Sequence, residues 1–328
     1  MGRLTGKISQ YILAFICIIS LNFFLIHLMP GDPLIHLLGE EGYFYLCAQK
    51  PQALKELMAE YKLDGPIYKQ YFAYVINTLK ADFGWSYHYG QPVFQVILYR
   101  LKWSMVLLLP SILIATILGT YFGILGGWKR GQKEDWFLTP VFLFVYSTPA
   151  YCLGFLFLLV FAFCFDLFPM GGMAQETSSG FAGLFDMLKH MVLPVTVLVF
   201  HNTAYNYLIM RNAVRDISHE EYIIAAISKG LKESRVLFCH VLKNVLPPLI
   251  TVVAMDFGFM LGGALLVEIV FSWQGMGTLI YDAVLSRDYP LLSACFLVLA
   301  LCMILANAVA DFIYSVVDPR IKDSVRNE

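Results

Sequence analysis

Eight polar or ionisable side chains fall inside long apolar runs: Asn22, His201, Asn202, Asn206, Asp256, Glu268, Asn307 and Asp311. Such groups are expensive in hydrocarbon and persist where they face one another, a cavity or a solute path. Asn202 and Asn206 stand one helical turn apart and share a face, whereas Asp256 and Glu268, twelve residues apart, differ by about 120° and need not act together. Asn202, Asn206, Asp256 and Glu268 are therefore candidates for lining a pathway, with interhelical hydrogen bonding the alternative for each. Bond-breaking chemistry finds no support. There is no H-E-x-x-H and no G-x-S-x-G elbow, and the nearest phosphate-loop lookalike, Gly126 to Gly131, runs into Gln132 where Lys and Ser or Thr are needed. The cysteines (Cys17, Cys47, Cys152, Cys164, Cys239, Cys295, Cys302) show no C-x-x-C spacing and lie mostly in apolar runs, so neither a metal site nor a disulfide framework is expected.

A second group of informative residues lies between Arg211 and Pro248, a connection far longer than the two to eight residues usual between bundled helices. Around Glu221, a helical reading puts Tyr222, Ala225, Ala226 and Lys229 on one face and Ile223, Ile224 and Ile227 on the other. The small-sided face suits close docking into a partner's groove, and the isoleucines would pack on the bundle. Gly230 is placed to end that helix as a C-cap. His240, Asn244 and Pro247 follow.

The elements that must carry these residues are set by composition. Of the 328 residues 59% are apolar and only 14% charged, and the mean hydropathy is +0.66; too few charges exist to coat a water-facing sphere. A net charge of -1 with pI near 6.6 leaves no basic stripe for nucleic acid. A hydrocarbon core about 30 Å thick needs roughly 20 apolar residues, and six runs qualify: Ile8 to Met29, Trp103 to Gly127, Trp136 to Phe165, Met191 to Met210, Pro247 to Phe271 and Tyr289 to Tyr314. Their backbone must be paired within each segment, which makes them helices. The first is longer than a signal-peptide core and lacks a small-x-small cleavage site, so a retained span is expected.

With the N-terminus inside, 14 of the 23 Lys and Arg fall in inner segments, which predicts both termini cytoplasmic. The segment from Pro30 to Lys102 then lies outside. Pro51 to Leu63 and Pro66 to Lys80 each carry helical apolar spacing after a Pro start, predicting an extracytoplasmic helical cap, and Gln91 to Lys102 predicts an amphipathic helix lying near the interface. Pro140 and Pro149 predict kinks in the third span. Gly258, Gly262 and Gly263 predict close helix approach in the fifth.

Ala225, Ala226, Gly230 and Pro247, followed by His240, Leu242 and Asn244 within the same loop, resemble the shared loop of permeases from bacterial ATP-binding-cassette importers, in the dipeptide, oligopeptide and nickel branch. The resemblance runs through Pro30-Gly31-Asp32-Pro33, Asp82-Phe83-Gly84-x-Ser86, His190 to Pro194, Gly262-Gly263-Ala264 to Glu268 and Phe271, Gly275-Met276-Gly277, Arg287-Asp288-Tyr289-Pro290 and Asp318-Pro319-Arg320. The large outer segment is similar to that of the first of the two permeases in such systems. Ile224 stands where the wider superfamily has Glu, Ala226-Ile227 where Arg-Ala is usual, and Trp273-Gln274 where this branch often has Pro.

What the resemblance implies is an all-α polytopic membrane protein of the type I importer fold, with six transmembrane helices and an extracytoplasmic helical segment between helices 1 and 2. Its parts would be residues 1–29, a cytoplasmic N-terminus and first helix; 30–102, the outer segment; 103–314, a five-helix core with a coupling loop at 211–246; and 315–328, a cytoplasmic tail. The implied partners are a homologous second permease, two ATPase subunits that bind ATP and Mg, an extracytoplasmic substrate-binding protein and the lipid of a prokaryotic inner membrane. No cofactor belongs to this chain. Glu221, Tyr222, Ala225, Ala226, Lys229, Gly230, His240, Asn244 and Pro247 would be the ATPase-coupling residues, and peptides the cargo, with nickel chelates, opines or other solutes as alternatives. An ion-coupled carrier would carry repeated halves, and an intramembrane enzyme a nucleophile or metal pair; the sequence displays neither.

Overall fold

The apolar runs fold as helices in the computed structural model, which describes residues 2–28, 43–52, 66–86, 88–173 and 180–317. The first run lies in α1 (Gly2–Leu28). Residues 43–49 form a short helical stretch. α2 (Ile67–Leu79) starts directly behind Pro66, as predicted, and ends where Ala81 turns left-handed (φ 57°) and the Asp82 N–H reaches the Asn77 carbonyl at 2.9 Å. The helix expected over Pro51 to Leu63 lies almost wholly outside the described residues, as do Pro30-Gly31-Asp32-Pro33 and Asp318-Pro319-Arg320. A two-residue ribbon, β1 (Trp85–Ser86) antiparallel to β2 (Gln91–Pro92), leads into α3 (Val93–Trp128).

The 36 residues of α3 span about 54 Å at 1.5 Å per residue, well beyond a bilayer core. This corrects the separate interfacial helix expected over Gln91 to Lys102. No Gly or Pro separates Val93 from Trp103, so the amphipathic stretch continues straight into the second run. The third run is broken more sharply than a kink: α4 (Lys133–Ser147) and α5 (Ala150–Phe157, continued as a π-helix over Leu158–Cys164) meet at a 97° bend. The helix passes through Pro140 and breaks at Pro149, whose ring forces Thr148 into extended backbone (φ -93°, ψ 123°).

α6 (Phe181–Ser218) follows, then α7 (Glu221–Ser228), α8 (Glu233–Val236, continued as a π-helix over Leu237–Val241), α9 (Leu242–Val270), α10 (Met276–Leu285) and α11 (Tyr289–Val317). Among the described residues, three segments are long and apolar enough alone to cross a membrane, Val93–Trp128, Phe181–Ser218 and Tyr289–Ile313, and two bent pairs qualify as broken spans, α4 with α5 and Glu233–Val245 with Pro247–Ala254.

The chain divides into two compact units, Met1–Trp103 with Thr278–Ile304, and Ser104–Gly277 with Leu305–Glu328. In the first, α2 is tied to α1: the Tyr71 and Ser20 hydroxyls lie 2.7 Å apart, and Asn22 Nδ2 donates to the Tyr74 hydroxyl at 3.0 Å and to the Ser293 carbonyl at 2.9 Å. The same unit closes two sequence motifs on each other. Ser86 Oγ donates to Asp288 Oδ2 at 2.6 Å and the His88 N–H joins it at 3.2 Å, while Asp288 Oδ1 accepts from Leu291 N–H at 3.2 Å as the N-cap of α11. Nearby, the Tyr89 hydroxyl donates to Asp282 at 2.9 Å, and burial followed by that hydrogen bond pushes its pKa up to about 12.

In the second unit α6 is central, touching α4, α5 and α9. α3 reaches it through glycines: a Cβ on Gly123 would lie 2.5 Å from that of Met210, and one on Gly119 would overlap Asn206. Spacing of three to four residues between small side chains is what lets two helix backbones approach this closely in lipid.

Candidate functional site: the loop from Arg211 to Pro247 and the buried polar groups

α7 is short, and an isolated helix of that length is unstable in water, so its conformation must come from packing. Ile223 and Ala226, three residues apart on one face, are buried in a cluster with Met210 and Val214 of α6 and with Val236, Val241 and Val245; Leu231, Leu237 and Leu242 close its rim. The rest of the helix circumference is exposed: Tyr222 (44%) and Ile227 (46%) flank the buried pair and Ile224 (53%) lies farther round, together with Glu221, Ala225 and Lys229. The expected division of faces is thereby corrected. Ala226 belongs to the bundle side, and two of the three isoleucines are exposed. Two helical faces, one small and one branched, look alike to a periodicity argument; what decides between them is that Ala226 fits over α6 with Ile223 filling the space beside it.

Gly230 ends the helix as expected. Its φ is 77°, its N–H bonds the Ile227 carbonyl at 2.9 Å, and the Leu231 N–H reaches back to the Ala226 carbonyl at 3.4 Å, the paired closure of a Schellman motif. Leu231 then packs on the cluster beneath. No atom lies within 4 Å of a Cβ built on Gly230, so within this chain the demand for glycine comes from the backbone alone. Asn244 ties the loop's two ends: its Nδ2 donates to the Tyr222 hydroxyl at 2.9 Å and to the His240 carbonyl at 2.7 Å. Pro247 is half-buried within α9.

One network escaped the sequence reading, which counted its arginine only as loop charge. Arg211 grips Asp135 with two N–H donors, Nε to Oδ1 at 2.6 Å and Nη2 to Oδ2 at 2.9 Å, a bidentate pair. Thr139 Oγ1 donates to the same carboxylate at 2.8 Å and lies 2.8 Å from the Tyr207 hydroxyl. The start of α4 is thus fastened to α6 close to where the loop leaves the bundle.

The four candidates for pathway lining each have hydrogen-bond partners within the chain. Asn206 and Asp256 are buried and paired, Asn206 Nδ2 donating to Asp256 Oδ2 at 3.0 Å between α6 and α9. Asn202, half-buried, bonds the Leu198 carbonyl one turn back in α6. Glu268 is 1% exposed and holds the turn after α9: Ser104 Oγ donates to its Oε1 at 2.6 Å, the Gly277 N–H to its Oε2 at 2.6 Å, and Ser104 in turn accepts the Met276 N–H at 2.7 Å. A Cβ on Gly275 would overlap the carboxylate itself. This explains Gly275-Met276-Gly277 as the two glycines a buried carboxylate leaves room for. Ser104 gave no sequence signal, being one serine at the head of an apolar run. Asn206, Asp256 and Glu268 each make hydrogen bonds inside the chain.

Apolar helices long enough to cross a bilayer, with a short helix packed on a long loop, mark an integral membrane protein. Its fold is similar to a chain of the inward-facing MetNI methionine ABC transporter, at TM-score 0.57 and 14% identity, covering 68% of this chain and 97% of that one. Residues 115–323 match the family described as binding-protein-dependent transport system inner membrane component, and the chain belongs to that family. It is 31% identical to the dipeptide transport system permease protein DppB of Escherichia coli K12, covering 96% of this chain and 97% of the relative. With the oligopeptide transport system permease protein AppB of Bacillus subtilis the identity is 33%, covering 92% and 93%. The protein is a permease subunit of an ATP-binding-cassette importer, an inner membrane component.

Proposed function

We propose that this permease imports di- and oligopeptides, enclosing the pathway with a homologous second permease and itself catalysing nothing. Two ATPase subunits, which hold the ATP and Mg, dock on the 211–246 loop, and an extracytoplasmic binding protein delivers cargo to the 30–102 segment. Both termini lie in the cytoplasm. The observation that carries the coupling role is the build of α7: Ile223 and Ala226 fix it to α6 while Tyr222, Ile224, Ala225 and Ile227 stand exposed as an apolar face beside Lys229 and Glu221. ATP binding to the partners would favour one packing of the bundle over the other, and the rigid seat of α7 transmits that preference. The cargo rests on relatives that match along nearly their whole length and are named for dipeptide and oligopeptide transport.

Two measurements test this reading. Proteoliposomes holding the full complex are expected to accumulate labelled di- to hexapeptides in an ATP-dependent way; no peptide uptake beside robust uptake of a nickel chelate would reassign the cargo. For sidedness, single cysteines in a cysteine-free background at Lys129 and Lys232 should resist an impermeant thiol reagent added to intact cells while Lys80→Cys reacts. Labelling of Lys232→Cys from outside would invert the topology.

A further inference from the structure

The outer segment was expected to be an extracytoplasmic helical cap, and α2 within it presents three distinct edges. At 100° per residue, Tyr71, Tyr74 and Thr78 share one edge, and this edge meets α1 through Ser20, Asn22 and Phe23. A second edge carries Asn77, exposed, with the exposed Lys69 at its border with the third. The third is apolar and uncovered: Tyr68 is 58% exposed, Phe72 62%, Ile76 51% and Leu79 67%. A cap surrounded by water has no reason to turn three large hydrocarbon side chains outward along one stripe.

The attachment gives the level at which α2 sits. Ser20 and Asn22 lie within Ser9–Phe24, the apolar stretch of α1, so the helix they hold stands beside a segment whose own outward side chains, Leu21 and Phe24, are exposed and apolar. The two surfaces join, since the ring of Phe24 stacks on Tyr71 at 6.5 Å and Tyr71 touches Phe72. The Tyr71 and Tyr74 hydroxyls, which would be costly in that setting if unpaired, are the groups bonded to Ser20 and Asn22. We propose that α2 is an interfacial membrane helix whose Tyr68, Phe72, Ile76 and Leu79 edge is inserted among lipid acyl chains beside α1, with Asn77 facing the headgroups and water and Lys69 at the border between them. Lipid is the occupant because the apolar edge continues the exposed apolar side of α1, Leu21 and Phe24, in its apolar stretch Ser9–Phe24.

The test uses nitroxide labels at single cysteines introduced by Phe72→Cys, Ile76→Cys, Lys69→Cys and Asn77→Cys, in the complete transporter in lipid nanodiscs with the native cysteines replaced. Labels at 72 and 76 should collide with oxygen severalfold more than with a water-soluble nickel complex, the label at 77 should show the reverse, and the label at 69 should fall between. Tyr68→Cys provides a further apolar-edge probe if either label perturbs assembly. Strong nickel collision at 72 and 76 would place the edge in water. Immobilised spectra shielded from both reagents would mean that a protein subunit covers it. Either result overturns the proposal, and neither bears on which solute the transporter carries.

Discussion

Carboxylates placed together at Ile224 and Ile227 are expected to abolish transport while leaving the permease folded in the membrane. Both side chains are about half exposed in this chain, so their replacement removes nothing from the cluster that seats α7. In the proposed complex each buries its remaining apolar surface against an ATPase subunit. Losing two such contacts, each worth about 1 kcal/mol for the half of the side chain still exposed, weakens association by roughly thirtyfold, before the cost of burying new charge is counted. Pull-down of the ATPase subunits and ATP hydrolysis stimulated by loaded binding protein are the measurements. Ile223→Ala makes the contrast, because it empties a fully buried site and should cost about 2–5 kcal/mol of loop stability. Ala226→Trp acts like Ile223→Ala, by overpacking the seat beneath the helix. A double Ile224→Asp, Ile227→Asp permease that transports at the wild-type rate with its ATPases bound would remove α7 from the coupling path.

Glu268→Ala should produce the largest loss of stability of any single change at the turn after α9. It strips the acceptor from Ser104 Oγ and from the Gly277 N–H, two hydrogen bonds to a carboxylate at about 1.5–3 kcal/mol each, and leaves both donors buried. A fall in melting temperature of roughly 5–10 °C in detergent follows. Gly275→Ala should approach the same loss by a different route, since its methyl must displace the carboxylate. Glu268→Gln keeps one acceptor and should fall between. Wild-type melting of Glu268→Ala would mean that other contacts hold the turn.

These two sites also show what a single sequence discloses. Gly230 was legible because a helix that must stop in a left-handed residue has one favoured solution, and that requirement is local. The helices themselves were legible because hydrocarbon permits no other backbone. The buried face of α7 was not, since its orientation depends on what α6 offers, and Met210 and Val214 lie in a different run. The role of Glu268 was hidden for a similar reason: the glycines that accommodate it and the serine that bonds it come from a loop and from residue 104, and nothing in the spacing links them. The glycines of α3 carried a readable signal, small residues at 119, 123 and 127, while Gly258, Gly262 and Gly263 lie within α9. Asn206 and Asp256 were recognised as polar groups needing an explanation, and the structure supplies each as the other's partner.

The bond between Ser86 and Asp288 sets an order on biosynthesis. The two residues are separated by 202 positions, and nearly all of the second compact unit is encoded between them. A ribosome adding about 5–20 residues per second takes roughly 10–40 s to cover that distance. During this interval the amino-terminal part has neither its Asp288 anchor nor the Ser293 partner of Asn22. The central helices can therefore insert and assemble before the segment that emerges first is complete. A nascent chain stalled ahead of residue 288 would present an unfinished amino-terminal unit to membrane proteases, whereas one stalled just beyond residue 304 would already possess every residue that this unit requires.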